Sequence, residues 1–284
     1  AVSDGVNTET IKEDNVNLKE LAEKRYTLNY KGLVKSVSVA PIFTTESGKE
    51  KQGREMGKFE FDDEDAVKNI DGLVSWWRME GNADDEVGGN DGTTNGGVQF
   101  VDDDERGKVA SFDGVDDWIN LDDNPSLRVS NKLTIGAWIK AKSTFETPFP
   151  VIFSNGNSAG NSGYNLWLND ESTFGKGVAS ILVLESNNGW IDCLANGTTN
   201  LEDDSWHYLT GVYSGSNIMI YVDGNLEDST PCNNEPITYG IAQAEIGAKA
   251  MGDANFNGTI DEIMIFNKAL NEEEIKALYE LDLS

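Results

Sequence analysis

The chain has 284 residues, of which 38% are hydrophobic and 9% aromatic, with 50 acids against 22 bases and a formal net charge of -28. That balance excludes nucleic acid as the natural partner and excludes a polybasic hold on an anionic membrane, since both need a basic face. A single histidine excludes any mechanism or metal site needing two, and no apolar run is long enough for membrane insertion.

The composition changes near residue 71. Residues 1–71 carry 15 acids and 11 bases, whereas residues 72–284 carry 35 acids and 11 bases, together with all seven tryptophans and both cysteines. The first part, too small and polar to bury a sizeable core alone, reads as an N-terminal extension of helix and short strands. Ala1 opens a polar stretch rather than an apolar leader, so any signal peptide is taken as already removed. Ile11, Leu18, Leu21 and Ala22 fall on one helical face. Tyr26–Tyr30 and Leu33–Phe43 read as extended, with Val37 and Val39 alternating with serines and Pro41 confining the end of the run to an edge. Thr44–Gly57 reads as a charged loop and Lys58–Phe61 as a short strand. Two roles suit the extension: a decoration beside the main domain, or a segment that adds strands to a neighbouring subunit.

From Gly72 the pattern becomes short strands separated by turn residues. Leu133, Ile135, Ala137 and Ile139 alternate with Thr134, Gly136, Trp138 and Lys140, and Ile218, Ile220 and Val222 alternate with Met219 and Tyr221. Asp223-Gly224 is a two-residue hairpin turn. Further strands are predicted at 72–79, 98–101, 108–112, 117–121, 150–154, 163–169, 177–184, 189–194, 206–213, 243–247 and 259–266, which at this spacing implies an all-β fold of two packed antiparallel sheets. The chain closes on a short C-terminal helix: Asn271 as N-cap, Glu274 as its capping-box partner, and Ile275, Leu278 and Tyr279 as the apolar stripe.

Several linked motifs occur in order: Leu73-Val74-Ser75-Trp76-Trp77, Gly88-Gly89-Asn90-Asp91-Gly92-Thr93, Ser111-Phe112-Asp113-Gly114-Val115-Asp116-Asp117-Trp118-Ile119, Leu133–Ile139, Tyr221-Val222-Asp223-Gly224 and Gly258-Thr259-Ile260-Asp261-Glu262-Ile263. Over about residues 72–280 this series resembles the laminin-G-like jelly rolls of the concanavalin A-like lectin/glucanase superfamily; residues 1–71 carry no resemblance. The resemblance implies a jelly-roll sandwich, an extracellular or cell-surface location, and an adhesive or carbohydrate-binding module, often loaded with calcium. In similar domains the acids matching Asp85 and Asp261 meet to hold the ion, with Asn90 as a further ligand and Asp84 or Asp91 as alternatives. Calcium's demand for six to eight oxygens suits that loop, though the same residue types also make turns and caps. Asp253, Asn255, Asn257, Gly258 and Asp261 partly match an EF-hand loop, but Met264 stands where a bidentate glutamate is required and a strand follows.

Trp167 and Trp190 lie in the loop-rich middle among Asn155, Asn157, Asn161, Asn165, Asn187 and Asn188, a composition suited to stacking on sugar rings and bonding their hydroxyls. Trp138 and Trp206, in strands matching the family, read as core. Catalysis has little support: Asp261 and Glu262 are adjacent and should point to opposite faces of a strand, and His207 follows Trp206 on a strand as a structural residue. Cys193 and Cys232 read as a disulfide. Asn196 and Asn257 begin glycosylation sequons. Two functions follow: a secreted, non-enzymatic module binding a glycan or another surface component, or a structural subunit of an extracellular filament or sheath in which residues 1–71 join copies of the chain. A glycosidase is the remote third.

Overall fold

The computed structural model describes the side chains of residues 64, 67–142, 149–156, 162–169, 177–184, 193–239, 243–249, 253–281 and 283. Before them it describes the backbone of six short strands and one helix. Two units are distinguished, Ala1–Asp71 with Leu281–Leu283, and Gly72–Glu280.

In the first unit, strands β1 (Val2–Ser3), β2 (Thr8–Glu9), β3 (Ser36–Val39) and β6 (Gly57–Glu60) form an antiparallel sheet in the order β2-β1-β3-β6. β4 (Ile42–Thr44) pairs with β5 (Glu50–Gln52), so a hairpin occupies part of the expected charged loop. A short helix, α1 (Asp63–Lys68), stands where no element was predicted. The helical face of Ile11–Ala22 and the run Tyr26–Tyr30 lie outside the described residues.

The second unit is the sandwich. Its larger sheet comprises β7 (Leu73–Trp77), β9 (Gln99–Asp103), β10 (Gly107–Asp113), β12 (Leu133–Ala141), β17 (Trp206–Tyr213), β18 (Asn217–Val222), β19 (Asn225–Pro231) and β21 (Asn257–Phe266), in the order β19-β18-β17-β12-β21-β10-β9 with β7 also on β21. The smaller comprises β8 (Thr93–Asn95), β11 (Trp118–Asn120), β13 (Val151–Asn155), β14 (Tyr164–Asn169), β15 (Val178–Val183), β16 (Cys193–Asn196) and β20 (Ala244–Ile246), in the order β16-β15-β14-β13-β20-β11-β8. All pairings are antiparallel, and the fold is a jelly-roll sandwich. β8 and β19 were not predicted: both are half-exposed and polar, so neither carries a hydrophobic alternation.

Period-two alternation fills the space between the sheets. Ile135, Ala137, Ile139, Leu209, Ile220, Ile260 and Ile265 from one side meet Ile119, Phe153, Leu166, Ile181 and Ile246 from the other. Gly211 permits the approach, since a Cβ there would come within 2.1 Å of Ile181 Cδ1. Helix α2 (Glu272–Tyr279) has the predicted capping box: Asn271 Oδ1 accepts from the Glu273 and Glu274 N–H groups, and Glu274 Oε2 accepts from the Asn271 N–H at 2.9 Å. Ile275 and Leu278 are buried, and Tyr279 stacks on Trp138. Cys193 and Cys232 form a disulfide.

Candidate functional site

Asn155 apart, the buried inward residues of the smaller sheet carry apolar or aromatic side chains; its outer face is largely polar. Ladder pairs place Asn120, Glu245, Ser154, Asn165, Leu182 and Leu194 in one row across six strands, and Trp167, Ser180 and Asn196 in the next. Alternation dictates this: Tyr164, Leu166 and Leu168 point into the core, leaving Asn165 and Trp167 on the other side. Ser154 Oγ donates to Asn165 Oδ1 at 2.6 Å, and Ser180 Oγ donates to Asn196 Oδ1 at 2.7 Å. Ser154, Ser180, Asn165 and Glu245 are buried, whereas Trp167, Leu182, Leu194 and Asn196 are half-buried. Trp167 Nε1 has no hydrogen-bond partner among the described residues. An indole beside a bonded lattice of amides and hydroxyls offers an apolar plane for a ring and fixed acceptors for hydroxyls.

Sequence reasoning reached Trp167 and Asn165 here, and missed Ser154, Ser180 and Glu245. The signal that could have found them is the polar phase of each strand's alternation. Asn155 is not on this face: it is buried, and its Nδ2 donates to the Leu127 carbonyl at 2.7 Å. Trp190, Asn157, Asn161, Asn187 and Asn188 lie outside the described residues. Of the sequon asparagines, Asn196 belongs to this lattice, and Asn257 is half-buried on β21 opposite Asp113.

The expected calcium ligands do not converge. Asp85 Oδ1 accepts from the Trp76 and Val87 N–H groups, and its Oδ2 accepts from the Asn90 N–H and Nδ2. Asn90 is buried, with its Oδ1 accepting from Ser126 Oγ and its Nδ2 also donating to Ser75 Oγ. Asp91 Oδ1 accepts from the Asp85 N–H. Asp261 instead pairs with Arg106, Nε to Oδ2, at 2.8 Å. A carboxylate filled by four N–H donors and another facing a guanidinium do not fit a shared cation.

Asp261 opens a charged cluster on the outer face of the larger sheet. The β12–β21 register shifts between Gly136 and Trp138, and Glu262 has φ 50°. Ile260 and Ile263 both point into the core, so Asp261 and Glu262 share the outer side. The bulge thereby overturns the expectation of opposite faces. Trp76 Nε1 donates to Glu262 Oε2, and Arg78 Nε stands 3.6 Å from Oε1. The Arg106 guanidinium lies 4.2 Å from the Trp138 ring centre and 5.6 Å from that of Trp206. Both tryptophans are therefore half-buried on this outer face rather than in the core between the sheets. Burial pushes the Asp261 carboxyl up to about 7 despite Arg106, and burial together with the Asp261 charge pushes Glu262 well above the usual glutamate range. His207, half-buried, meets Asp223 Oδ2 at 2.8 Å and Asp203 Oδ1 at 3.3 Å, which ties the β18–β19 turn and a neighbouring loop to β17.

A family model described as the concanavalin A-like lectin/glucanases superfamily matches residues 113–276. No curated protein matches the chain. Among solved structures, the binding domain of Paraclostridial Mosquitocidal Protein 1 is 20% identical with a TM-score of 0.60, covering 74% of this chain and 52% of that one. Domain 4 of AbnA, a GH43 extracellular arabinanase from Geobacillus stearothermophilus solved with arabinotriose, is 19% identical with a TM-score of 0.56, covering 73% of this chain and 98% of that domain. The binding domain of Botulinum neurotoxin DC, solved with rat synaptotagmin II, is 16% identical with a TM-score of 0.54, covering 74% of this chain and 51% of that one. The chain thus spans about half the length of the toxin binding domains it resembles.

Proposed function

The chain belongs to the concanavalin A-like lectin/glucanases superfamily, and on that premise we propose that it is a secreted, non-enzymatic binding module that engages a glycan at the cell surface through the outer face of the smaller sheet. The observation that carries this reading is Trp167 beside Asn165, Ser180 and Asn196, an apolar plane flanked by hydrogen-bonding groups already held in place. The similar structures support it by what was solved with them: arabinotriose on the arabinanase domain, and SialylT on a neurotoxin binding domain. The non-catalytic part rests on the acids. A glycosidase needs two carboxyls at the scissile bond, and Asp261 and Glu262 are 2% and 1% exposed and committed to Arg106 and Trp76.

A glycan array probed with the full chain and with Trp167→Ala tests this reading. A hit for the wild type that falls at least tenfold in the variant upholds it. The absence of any hit, or a hit indifferent to Trp167, refutes it.

One observation favours the filament reading. In the first unit the sheet ends on β2 and β6, and neither pairs further among the described residues, so both edges suit the addition of strands from another copy. Under that reading, deleting residues 1–71 abolishes assembly seen by electron microscopy and light scattering. Assembly that survives the deletion refutes it.

A further inference from the structure

The turn between β10 and β11 gathers three acids that neither the sugar face nor the Asp85 loop uses. Carboxylate oxygens of Asp113, Asp116 and Asp117 all lie within 4.8 Å of one another. Asp113 and Asp116 are exposed, whereas Asp117 is only 4% exposed. The backbone accounts for part of this. Asp117 Oδ2 accepts from the Asp113 N–H at 2.9 Å, and Asp113 Oδ1 accepts from the Val115 N–H at 2.8 Å. It does not account for Asp117 Oδ1, which is buried with no hydrogen-bond partner among the described residues. Nor does any cation: among the described residues, no ion pair reaches any of the three acids.

A second element brings an independent oxygen. Asn255, 8% exposed, donates from Nδ2 to the carbonyl of Val115, the middle of the same turn. Its own Oδ1 is buried without a partner among the described residues. Asn255 is one of the residues that made 253–261 look like part of an EF-hand loop; in the fold it is turned onto the Asp113–Asp117 turn instead.

We propose that Asp113, Asp116, Asp117 and Asn255 hold a divalent cation, and that the ion is Ca²⁺. The donors are all hard oxygens, with no nitrogen or sulfur among them, which excludes a zinc-type site. Calcium tolerates an irregular shell and completes it with water, whereas magnesium demands a near-ideal octahedron. A cation would offset three mutually repelling charges and answer the two buried oxygens. The ion would tie the β10–β11 turn to the segment leading into β21.

Terbium luminescence on the full chain tests the assignment, with tryptophan excitation; Trp118 adjoins the site in sequence. Asp113→Asn/Asp116→Asn changes only exposed groups, so the fold is retained, and circular dichroism checks this. Tb³⁺ should give sensitised emission that Ca²⁺ displaces, and the paired variant should weaken binding at least tenfold. Asn255→Ala should weaken it severalfold. The paired variant decides: weakening below tenfold, or no Ca²⁺-displaceable emission from the wild type, overturns the proposal. Asp85→Asn should bind Tb³⁺ within twofold of wild type. Its loss of binding alongside an unaffected paired variant would move the ion to the Asp85 loop and likewise overturn the proposal.

Discussion

Arg106→Ala should be among the most destabilising single changes in the sandwich. Arg106 is 8% exposed, its Nε bonds Asp261 at 2.8 Å, and its guanidinium lies over Trp138. Truncation leaves Asp261, almost fully buried, without its paired cation, while the buried Glu262 beside it keeps Arg78 but loses the more distant help of Arg106. Removing one partner of a buried ion pair costs about 3–5 kcal/mol, within which loss of the cation–π contact accounts for roughly 1. The cost depends on pH with a definite sign. Asp261 in the folded chain sits near 7 against an ordinary value of 3.8, and Glu262 is raised as well. A carboxyl raised on folding favours the native state fully below its unfolded pKa and loses that contribution as pH rises through its folded pKa. Arg106 holds Asp261 down, so its removal raises Asp261 further. The deficit of the variant should therefore be smallest near pH 4–5, where a protonated carboxyl needs no cation, and largest near pH 8. Urea unfolding of wild type and variant at pH 5 and pH 8 reads this directly. Adding Asp261→Asn to Arg106→Ala should recover at least half of the loss at pH 8. A deficit below about 1 kcal/mol at pH 8, or one that shrinks as pH rises, refutes the reasoning.

The remaining predictions are narrower. Cys193 and Cys232 are 39 residues apart, and closing such a loop stabilises by about 4 kcal/mol in the chain-entropy model, so Cys193→Ser/Cys232→Ser should shift the urea midpoint by a corresponding amount; an unchanged midpoint would show that the bond does not restrain the unfolded chain. The hydrogen bond that His207 donates to Asp223 raises His207 above 6.5 against the opposing effect of burial, with Asp203 adding to the rise. Its stabilising contribution is complete below pH 6.5 and disappears as pH rises through the raised value, so the melting temperature of His207→Gln should trail wild type more at pH 6 than at pH 9. An equal gap at both pH values would mean the histidine is held by packing rather than by charge.

Much of the sandwich was legible in the residues because alternation, turn chemistry and capping are local. Leu133–Ile139 as a two-faced strand, Asp223-Gly224 as a hairpin turn and Asn271 with Glu274 as a capping box each depend on neighbours a few residues away. The half-exposed strands β8 and β19 escaped because their partners, not their own patterns, make them strands. Trp167 could be singled out by type, but not the Ser154, Ser180 and Glu245 that share its face of the sheet, since those meet across strands distant in sequence.

Sequence alone determined the acidic sandwich of two antiparallel sheets, its boundary near residue 71 and the stock of oxygen ligands, since composition and periodicity are properties of the chain itself. Tertiary structure decided how that stock is spent. Asp85 caps its own loop, Asp261 faces a guanidinium 155 residues away, and a bulge at Glu262 brings two adjacent acids to one side. Meanwhile Asn255 reaches the turn at Asp113–Asp117. Which oxygens remain unanswered depends on long-range strand register, and no window along the chain contains both partners.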